Sequence, residues 1–245
     1  MQEKIVEVIR RVIPDDGQHI WGLADLSGLL HERFKGFNFG ISIGRKLDND
    51  IINAIAGGPT LAYWKHYSDT NVYLAGLVTD IADKLNTLGV NSLAILPTSS
   101  RVDRSPVYAS TLRHDFSHKM VGTRAGLGWI GKSDLFISTR FGPRLRLASI
   151  LVGNPLRPLQ PPIDSSRCGK CHVCVEACPA HAITGKPWDI RTDRDQYYDA
   201  FKCQAKALEL TRAAIGQDEH EICGICISVC PVGKTGTIVE AGNVR

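Results

Sequence analysis

The stretch CGKCHVCVEACP, residues 168–179, places four cysteines in the order C-x2-C-x2-C-x3-C and ends on a proline. A second run, CGICISVCP at 223–231, repeats its last three cysteine positions and the proline. This spacing is typical of proteins that bind two 4Fe-4S clusters, because three thiolates on one tight loop reach three irons of a cubane. We therefore predict a two-cluster module towards the C-terminal end of the chain.

The cysteine that precedes each proline points away from its own loop, towards the neighbouring cluster. Each run is therefore predicted to lend one thiolate to the other cluster. Cluster 1 is assigned Cys168, Cys171, Cys174 and Cys230, and cluster 2 is assigned Cys178, Cys223, Cys226 and one further ligand.

Two residues compete to be the eighth ligand. His220 stands where the second run lacks its first cysteine, and Cys203 lies between the two runs. Thiolate is the usual ligand of such clusters and histidine is the exception. We therefore predict that Cys203 completes cluster 2, with His220 as the alternative.

All eight cysteines lie between residues 168 and 230, and disulfides or zinc sites are the two other uses that such a set could have. Disulfide frameworks belong to small secreted chains, whereas the amino terminus MQEKIVEVIRRVIP carries charges instead of an apolar signal. Zinc favours two separated C-x2-C pairs over triplets closed by Cys-Pro. Iron–sulfur ligation is therefore the prediction.

The composition describes an ordinary globular protein. The 245-residue chain is 43% hydrophobic and 22% charged, and its net charge is +4. These values give no nucleic-acid-binding signature. No apolar segment reaches the length of a membrane span, so we expect a soluble, cytoplasmic protein without a membrane partner. The sequence does not specify the oligomeric state.

Apolar periodicity before the cysteines predicts an α/β (α+β) domain over 1–160, followed by a bacterial-ferredoxin-like module over 161–245. The proline-rich segment 154–166 is predicted to connect them. GISIG and SLAILP are predicted strands on either side of a helix that ends at Gly89. Further predicted elements are helices near 3–13 and over 192–216 and strands at 134–139 and 144–153.

The glycine-rich segment RAGLGWIGKS, residues 124–133, fits both a phosphate-binding loop and a dinucleotide fingerprint. Both templates need a strand before the glycines and a helix after them. Here a helix-like segment comes first and the β-rich DLFISTRF follows, so ATP or dinucleotide binding is not predicted. The glycines either bring main chain close to a large flat group or form a tight turn around a buried Trp129.

The segments AGLGWIGKS (125–133) and FGPRLRLASILVG (141–153), with the double cysteine motif that ends in CPVGK, resemble the catalytic core of the epoxyqueuosine reductase family. The resemblance extends over about residues 100–235, and SHK at 117–119 is similar to short proteins of that group. It implies an oxidoreductase that binds cobalamin beside two 4Fe-4S clusters, which pass electrons singly to the cobalt. An external electron donor of flavodoxin or ferredoxin type is implied as a partner.

The family reaction removes the epoxide oxygen of epoxyqueuosine at the tRNA wobble position, and related reductive dehalogenases use the same cofactors. The resemblance implies a cobalamin-binding-type domain in which the glycine-rich segment lines the corrin pocket. The residues so implied are Gly126, Leu127, Gly128, Trp129, Ile130, Gly131 and Lys132.

A nearby acid is needed to protonate the departing oxygen. Family members carry an aspartate in a V-D-x-x-P-V stretch, and RVDRSPV offers Asp103 at the matching place. Because more residues separate Asp103 from the glycines than in the family, Asp115, His118 and Lys119 are alternatives. A turn cap or a solvated helix face is the competing interpretation.

Without the C-terminal helical-repeat extension of longer family members, both a tRNA nucleoside and an unidentified small substrate stay open as partners. Two other functions compete with the reductase: a two-cluster electron carrier, and a corrinoid-reducing activator without turnover of its own. Basic residues near the loop either contact the cobalamin periphery or form the solvent face of a strand. They are Lys132, Arg140, Arg144 and Arg146.

Overall fold

The structure, a computed structural model, describes residues 1–98, 106–216 and 221–234. Its strands are β1 (His19–Asp25), β2 (Phe39–Lys46), β3 (Ser92–Ile95), β4 (Gly128–Ile130), β5 (Phe136–Ser138) and β6 (Leu145–Val152). Its α-helices are α1 (Gln2–Val12), α2 (Asn49–Asn53), α3 (Leu61–Thr87), α4 (Pro106–Thr111), α5 (His118–Arg124), α6 (Val173–Glu176), α7 (Ala200–Ile215) and α8 (Ile225–Val229).

One antiparallel sheet, in the order β1-β2-β6-β3, organises the first domain. β2 pairs with β6 from Phe39 opposite Val152 to Lys46 opposite Leu145. β2 and β3 therefore run in the same direction, joined through α3, with β6 between them. β4 and β5 form a separate two-stranded hairpin. The predicted mixed α/β fold is confirmed.

Helices α1 and α3 cover one face of the sheet. Ile5 and Ile9 on α1, and Leu74, Val78 and Ile81 on α3, are fully buried in the same core. Burial of each such side chain contributes about 1.5–3 kcal/mol, and their three- and four-residue spacing keeps them on one helix face. Within the described residues, no helix is long and apolar enough to cross a membrane.

Helix α5 covers the opposite face of the sheet. Val121 and Ala125 on this helix are fully buried together with Ala24 on β1 and Leu151 on β6. Leu151 alternates along β6 with Ile150, which belongs to the core of the other face. This packing fixes the position from which the glycine-rich segment leaves α5.

The cysteine module packs directly on the first domain. Ile222, just before the second cysteine run, is buried in one core with Leu47 and Ile52. The main chain at Gly142 passes so close to Val232 that an added Cβ would lie 2.0 Å from the valine carbonyl oxygen. The predicted connector has no helix or strand over 153–164, yet the units on either side of it are in contact.

Two differences from the predicted elements have local causes. The helix predicted from residue 192 begins at Ala200, because Asp199 caps it by accepting a hydrogen bond from the Lys202 amide at 3.0 Å. β1 was not predicted. Its residues are buried on both faces of the sheet, so HIWGLAD has no alternating pattern to reveal a strand.

We expect Gly142→Ala to destabilise the protein by about 2 kcal/mol or more, because the methyl group meets the Val232 carbonyl and the residue has φ +57°. Chemical denaturation followed by circular dichroism measures the effect. Gly76→Ala is the matched control: it lies within α3 with nothing near its added Cβ, so it is expected to stabilise by about 0.5–1 kcal/mol. Equal stability of the two variants would contradict the close approach.

Candidate functional site

All eight cysteines are free thiols, each partly buried, and they gather in two groups. In the first, Cys168, Cys171, Cys174 and Cys230 line a small cavity of about 30 Å³, and Cys226 of the second group lines it as well. Burial raises the pKa of Cys230 to about 12, and the charges of Cys168, Cys174 and Cys171 raise it further. The four residues predicted for cluster 1 therefore surround one space.

The second group consists of Cys178, Cys203, Cys223 and Cys226. Burial raises the pKa of the last three, and the charge of Cys178 acts on each of them. The Tyr198 hydroxyl donates a hydrogen bond to the Cys203 sulfur, which opposes that increase. The four thiols predicted for cluster 2 thus lie within electrostatic reach of one another.

The four thiols around the small cavity suit a cubane. Among the described residues, no group of three or more His, Cys, Asp or Glu side chains is arranged to hold one metal ion. A cubane is wider than an ion and needs its thiolates set around a space. Cys203 stands in the second group, whereas His220 lies outside the described residues.

Lys132 is buried beside the first cysteine group, with 3% of its surface exposed. Its Nζ donates to the carbonyl oxygens of Gly169 and Cys171, each at 2.9 Å. These bonds hold the loop that carries the first cysteines. The ammonium also lowers the pKa of Cys174 against the stronger effect of burial, which raises it to about 11.

Arg144 is a second buried cation, only 1% exposed. Its Nη2 donates to Asn53 Oδ1 at 2.9 Å and to the Ser228 carbonyl at 3.1 Å, so it ties the start of β6 to α2 and α8. Its Nε has no hydrogen-bond partner among the described residues. Burial lowers the pKa of Arg144, and the charge of Cys230 opposes that shift.

The glycine-rich segment is a tight turn between α5 and β4. An added Cβ on Gly126 would lie 2.6 Å from the Pro161 carbonyl, and one on Gly128 would lie 2.2 Å from the Ile137 carbonyl. Trp129 is fully buried in the core that also contacts the first cysteine group. Close chain-to-chain packing therefore explains these glycines.

Within the structure, the residues of this segment divide between two cavities and close protein packing, and their role at a corrin stays a prediction. Of its residues, Ile130 lines the large cavity described next, while Gly131 and Lys132 line the small cavity among the cysteines. Leu127 packs in the core around Phe136. The protein chain itself fills the space beside Gly126, Gly128 and Trp129.

A cavity of about 510 Å³ lies between the first domain and the cysteine module. Its wall combines apolar and charged side chains. Ile227, the residue after Cys226, contributes to the wall, so the second cysteine group borders the cavity. Apolar wall residues include Phe116, Ile130, Leu135, Leu147 and Trp188, and the charged ones are Arg113, Lys119, Asp134, Arg146 and Arg194.

Lys119, Asp134 and Tyr197 form a hydrogen-bonded network in this wall. Lys119 Nζ donates to Asp134 Oδ2 at 2.6 Å and to its carbonyl oxygen at 2.8 Å. The Tyr197 hydroxyl donates to Asp134 Oδ1 at 2.7 Å, and burial raises the pKa of the tyrosine. Asp134 and Tyr197 were missed from the sequence, because they are 63 positions apart and share no local pattern.

The predicted acids occupy different surroundings. Asp103 lies outside the described residues. Asp115 accepts a hydrogen bond from Arg33 Nη1 at 2.9 Å on the exposed surface. It is absent from the cavity wall.

His118 lines the cavity, but both of its ring nitrogens are engaged. Nε2–H donates to the Leu96 carbonyl at 3.0 Å, and Nδ1 accepts from the Ser149 hydroxyl at 2.9 Å. Burial lowers the pKa of His118 to about 4. The imidazole is therefore neutral near pH 7 and ties α5 to the sheet.

The four basic residues near the glycine-rich segment also lie in different surroundings. Lys132 and Arg144 are buried near the cysteines, and Arg140 Nη1 donates to the His19 carbonyl at 3.4 Å. Arg146 lines the cavity, where Asn71 Oδ1 accepts from its Nε at 2.9 Å. The interpretation as one solvent-facing strand surface does not hold for the buried pair.

Residues 167–233 match the family model for a 4Fe-4S double cluster binding domain, which confirms the predicted two-cluster module. An epoxyqueuosine reductase of Pseudomonas aeruginosa is 37% identical over 128 residues, covering 52% of this chain and 34% of the relative. One of Salmonella typhimurium is 28% identical over 188 residues, covering 76% of this chain and 44% of the relative. The chain thus spans less than half the length of these two relatives, and the predicted resemblance to their family is confirmed.

Solved structures share the fold at low sequence identity. A catabolic reductive dehalogenase in complex with 3-bromo-4-hydroxybenzoic acid has a TM-score of 0.67 and 15% identity, covering 96% of this chain and 32% of that one. An epoxyqueuosine reductase with an epoxyqueuosine-modified tRNA-Tyr stem loop has a TM-score of 0.60 and 17% identity, covering 96% and 65%. At these low identities, both similarities show a shared fold and nothing more.

We expect the neutral state of His118 to make stability depend on pH. Its pKa falls from 6.5 to about 4 on folding, so the unfolded chain binds the extra proton. The stabilisation is complete above pH 6.5 and is lost as the pH falls towards 4, by about 3 kcal/mol. Denaturation measured across this range should show a shallower decline for His118→Gln than for the natural protein. The exposed His31→Asn should keep the natural slope, and equal slopes for all three proteins would contradict the assignment.

Proposed function

We propose that this chain is a cobalamin-dependent iron–sulfur reductase that removes an epoxide oxygen, in the manner of the epoxyqueuosine reductases it resembles. The observation that carries the proposal is the contact between the cavity and the second cysteine group. Ile227, adjacent to Cys226, forms part of the cavity wall. A substrate in that cavity would therefore lie next to an electron-transfer centre.

The proposed ligands of cluster 1 are Cys168, Cys171, Cys174 and Cys230, and those of cluster 2 are Cys178, Cys203, Cys223 and Cys226. The electrostatic contacts among the thiols support this crossed arrangement, because Cys168, Cys171 and Cys174 act on Cys230, and Cys223, Cys203 and Cys178 act on Cys226. Cluster 2 is the one nearer the cavity, because the wall residue Asp134 acts electrostatically on Cys203. Electrons from an external donor of flavodoxin or ferredoxin type would thus reach the cavity through cluster 2.

The chemistry of the cavity wall suits the corrin face of a large, partly polar cofactor such as cobalamin, and a space of about 510 Å³ would hold part of that cofactor. Apolar side chains such as Phe116 and Leu147 offer a surface for a corrin face, and Arg146 offers donors for its amide and phosphate groups. When bound, cobalamin would supply a cobalt centre that delivers the electrons to a substrate carbon. Ile130 is the part of the glycine-rich segment that would meet it.

Lys119 is the proposed proton donor among the described residues. Removal of an epoxide oxygen breaks two C–O bonds, consumes two electrons and two protons, leaves a C=C bond and releases the oxygen as water. Lys119 presents an ammonium to the cavity, and Asp134 holds it in place at 2.6 Å. The neighbouring His118 is neutral and engaged at both nitrogens, so it does not fill this role. Asp103 stays a prediction.

The proposed substrate is epoxyqueuosine in tRNA or a small molecule with a comparable epoxide. A solved epoxyqueuosine reductase binds an epoxyqueuosine-modified tRNA-Tyr stem loop, which supports the nucleoside. The mild net charge of +4 supports the smaller substrate equally well, since tRNA binding draws on many basic contacts.

The test is anaerobic reconstitution with iron, sulfide and cobalamin, followed by spectroscopy and turnover. We expect retained corrin absorbance and conversion of epoxyqueuosine, offered both as a nucleoside and in a tRNA stem loop. Iron–sulfur absorbance without corrin would replace the proposal with the electron carrier. Bound and reduced corrin without turnover of either substrate would replace it with the corrinoid-reducing activator.

Within that assay, Lys119→Met should lower turnover by about 10²- to 10⁴-fold while corrin stays bound, because the proton donor is lost. Asp115→Asn is the control. Its carboxylate pairs with Arg33 at the surface, so natural turnover is expected. Unchanged turnover in Lys119→Met would show that another residue donates the proton.

Cys203→Ser and His220→Ala test the eighth ligand directly. We expect Cys203→Ser to lose cluster 2, so that iron falls from about eight to about four atoms per chain. His220→Ala should keep the full amount. Iron and acid-labile sulfide analysis, with electron paramagnetic resonance of the reduced protein, measures both. The opposite pattern would assign the ligand to His220.

A further inference from the structure

Two buried cations adjoin the thiols of cluster 1 without a carboxylate partner. Lys132 is 3% exposed and Arg144 is 1% exposed. Within the part of the chain that the structure describes, neither forms a salt bridge with an aspartate or glutamate. A buried charge is costly unless an opposite charge offsets it. The pair therefore requires a negative group at the same place.

The contacts of Arg144 point to Cys230. All four of its hydrogen bonds go to neutral acceptors: the carbonyl and Oδ1 of Asn49, at 3.5 and 3.3 Å, Oδ1 of Asn53 and the carbonyl of Ser228. Its Nε–H is buried without a partner among the described residues. Cys230 is the charged group that acts on the guanidinium. The guanidinium of Arg144 thus lies beside a cluster 1 ligand, and its Nε–H is not used in any hydrogen bond among the described residues.

The contacts of Lys132 point to the same cluster from the other side. Its two hydrogen bonds go to neutral carbonyls of the first cysteine loop, Gly169 and Cys171. The side chain lines the small cavity together with the cluster 1 cysteines. Its charge acts on Cys174. Lys132 therefore faces the space assigned to cluster 1, and Arg144 approaches that cluster from the side of Cys230.

The surroundings of cluster 2 differ in charge. The charged side chains other than cysteine that act on Cys203 are Asp134 and Asp199, both carboxylates. Lys119 pairs with Asp134 and offsets part of its charge. The Tyr198 hydroxyl gives Cys203 one neutral hydrogen bond. Cys226 is the cluster 2 thiol that also lines the small cavity with Lys132, whereas all four cluster 1 thiols line it.

We infer that Lys132 and Arg144 are positioning residues for the charge of cluster 1, and that they hold its reduction potential above that of cluster 2. The inference rests on the proposed ligand sets. Reduction adds one electron from the external donor, breaks no bond and makes the cluster one charge more negative. Nearby buried cations stabilise that reduced form, and charge and hydrogen bonding are what tune such clusters. Cluster 1 is then the first of the two to be reduced by the donor, and transfer of its electron to cluster 2 is energetically uphill.

The experiment is a redox titration of the reconstituted holoprotein, followed by electron paramagnetic resonance, on Lys132→Met, Arg144→Gln and Arg144→Lys. We expect two one-electron steps in the natural protein. Lys132→Met and Arg144→Gln should each lower the higher-potential step by at least a tenfold change in its equilibrium constant, about 59 mV. The reduction potential of the lower-potential step should not change. Arg144→Lys keeps the charge and should keep the natural potential.

Lys170→Met is the matched control, because Lys170 lies in the same cysteine loop but is exposed and screened by water. It should shift neither step. Natural potentials in Lys132→Met and Arg144→Gln, a shift of the lower step alone, or an equal shift in Lys170→Met would overturn the inference. Lys132→Met and Arg144→Gln could instead lose cluster 1 altogether. In that case, retention of cluster 1 in Arg144→Lys and Lys170→Met supports the role of charge, and loss of cluster 1 in Arg144→Lys overturns the inference. Absence of both clusters from the natural protein would instead defeat the proposed function.

Discussion

Thiols and unpaired cations are buried together between the first domain and the cysteine module, and this concentration of charge constrains the rest of the fold. Lys132 and Arg144 are covered by the protein without a carboxylate among the described residues, so their burial would depend on the net negative charge of the proposed cluster and its thiolates. Arg144 also joins β6, α2 and α8. The same side chain therefore links the sheet, the second cysteine run and the proposed cluster.

Features that depend on neighbouring residues were predictable from the sequence. The cysteine runs could be predicted as cluster ligands because three ligands of a cubane come from one short loop. Helix α3 could be predicted because Leu74, Val78 and Ile81 repeat along one face. Its end could be predicted because Gly89, with φ +76°, follows it. β6 was readable because it becomes wholly apolar on entering the core. In each case the physical cause acts within a few residues of the pattern.

Features that depend on distant contacts were not predictable in this way. Gly126 and Gly128 form a recognisable pattern, but Pro161 and Ile137 decide what the missing side chains are for. The Asp134–Tyr197 bond joins two segments that the chain separates widely. Basic residues usually stay in water, so burial of Lys132 became visible only once the cysteine loop was folded over it.

The proposed crossing of the cysteine ligands and the Gly142–Val232 approach make the second cysteine run a late requirement during synthesis. A ribosome that stalls after α7 has already released the residues of the sheet core, so the nascent chain can acquire most of its secondary structure. Such a truncated product would still lack thiols for both proposed clusters and the segment that packs against Gly142. Iron delivery would thus distinguish finished chains from truncated ones and leave the latter exposed to proteolytic quality control.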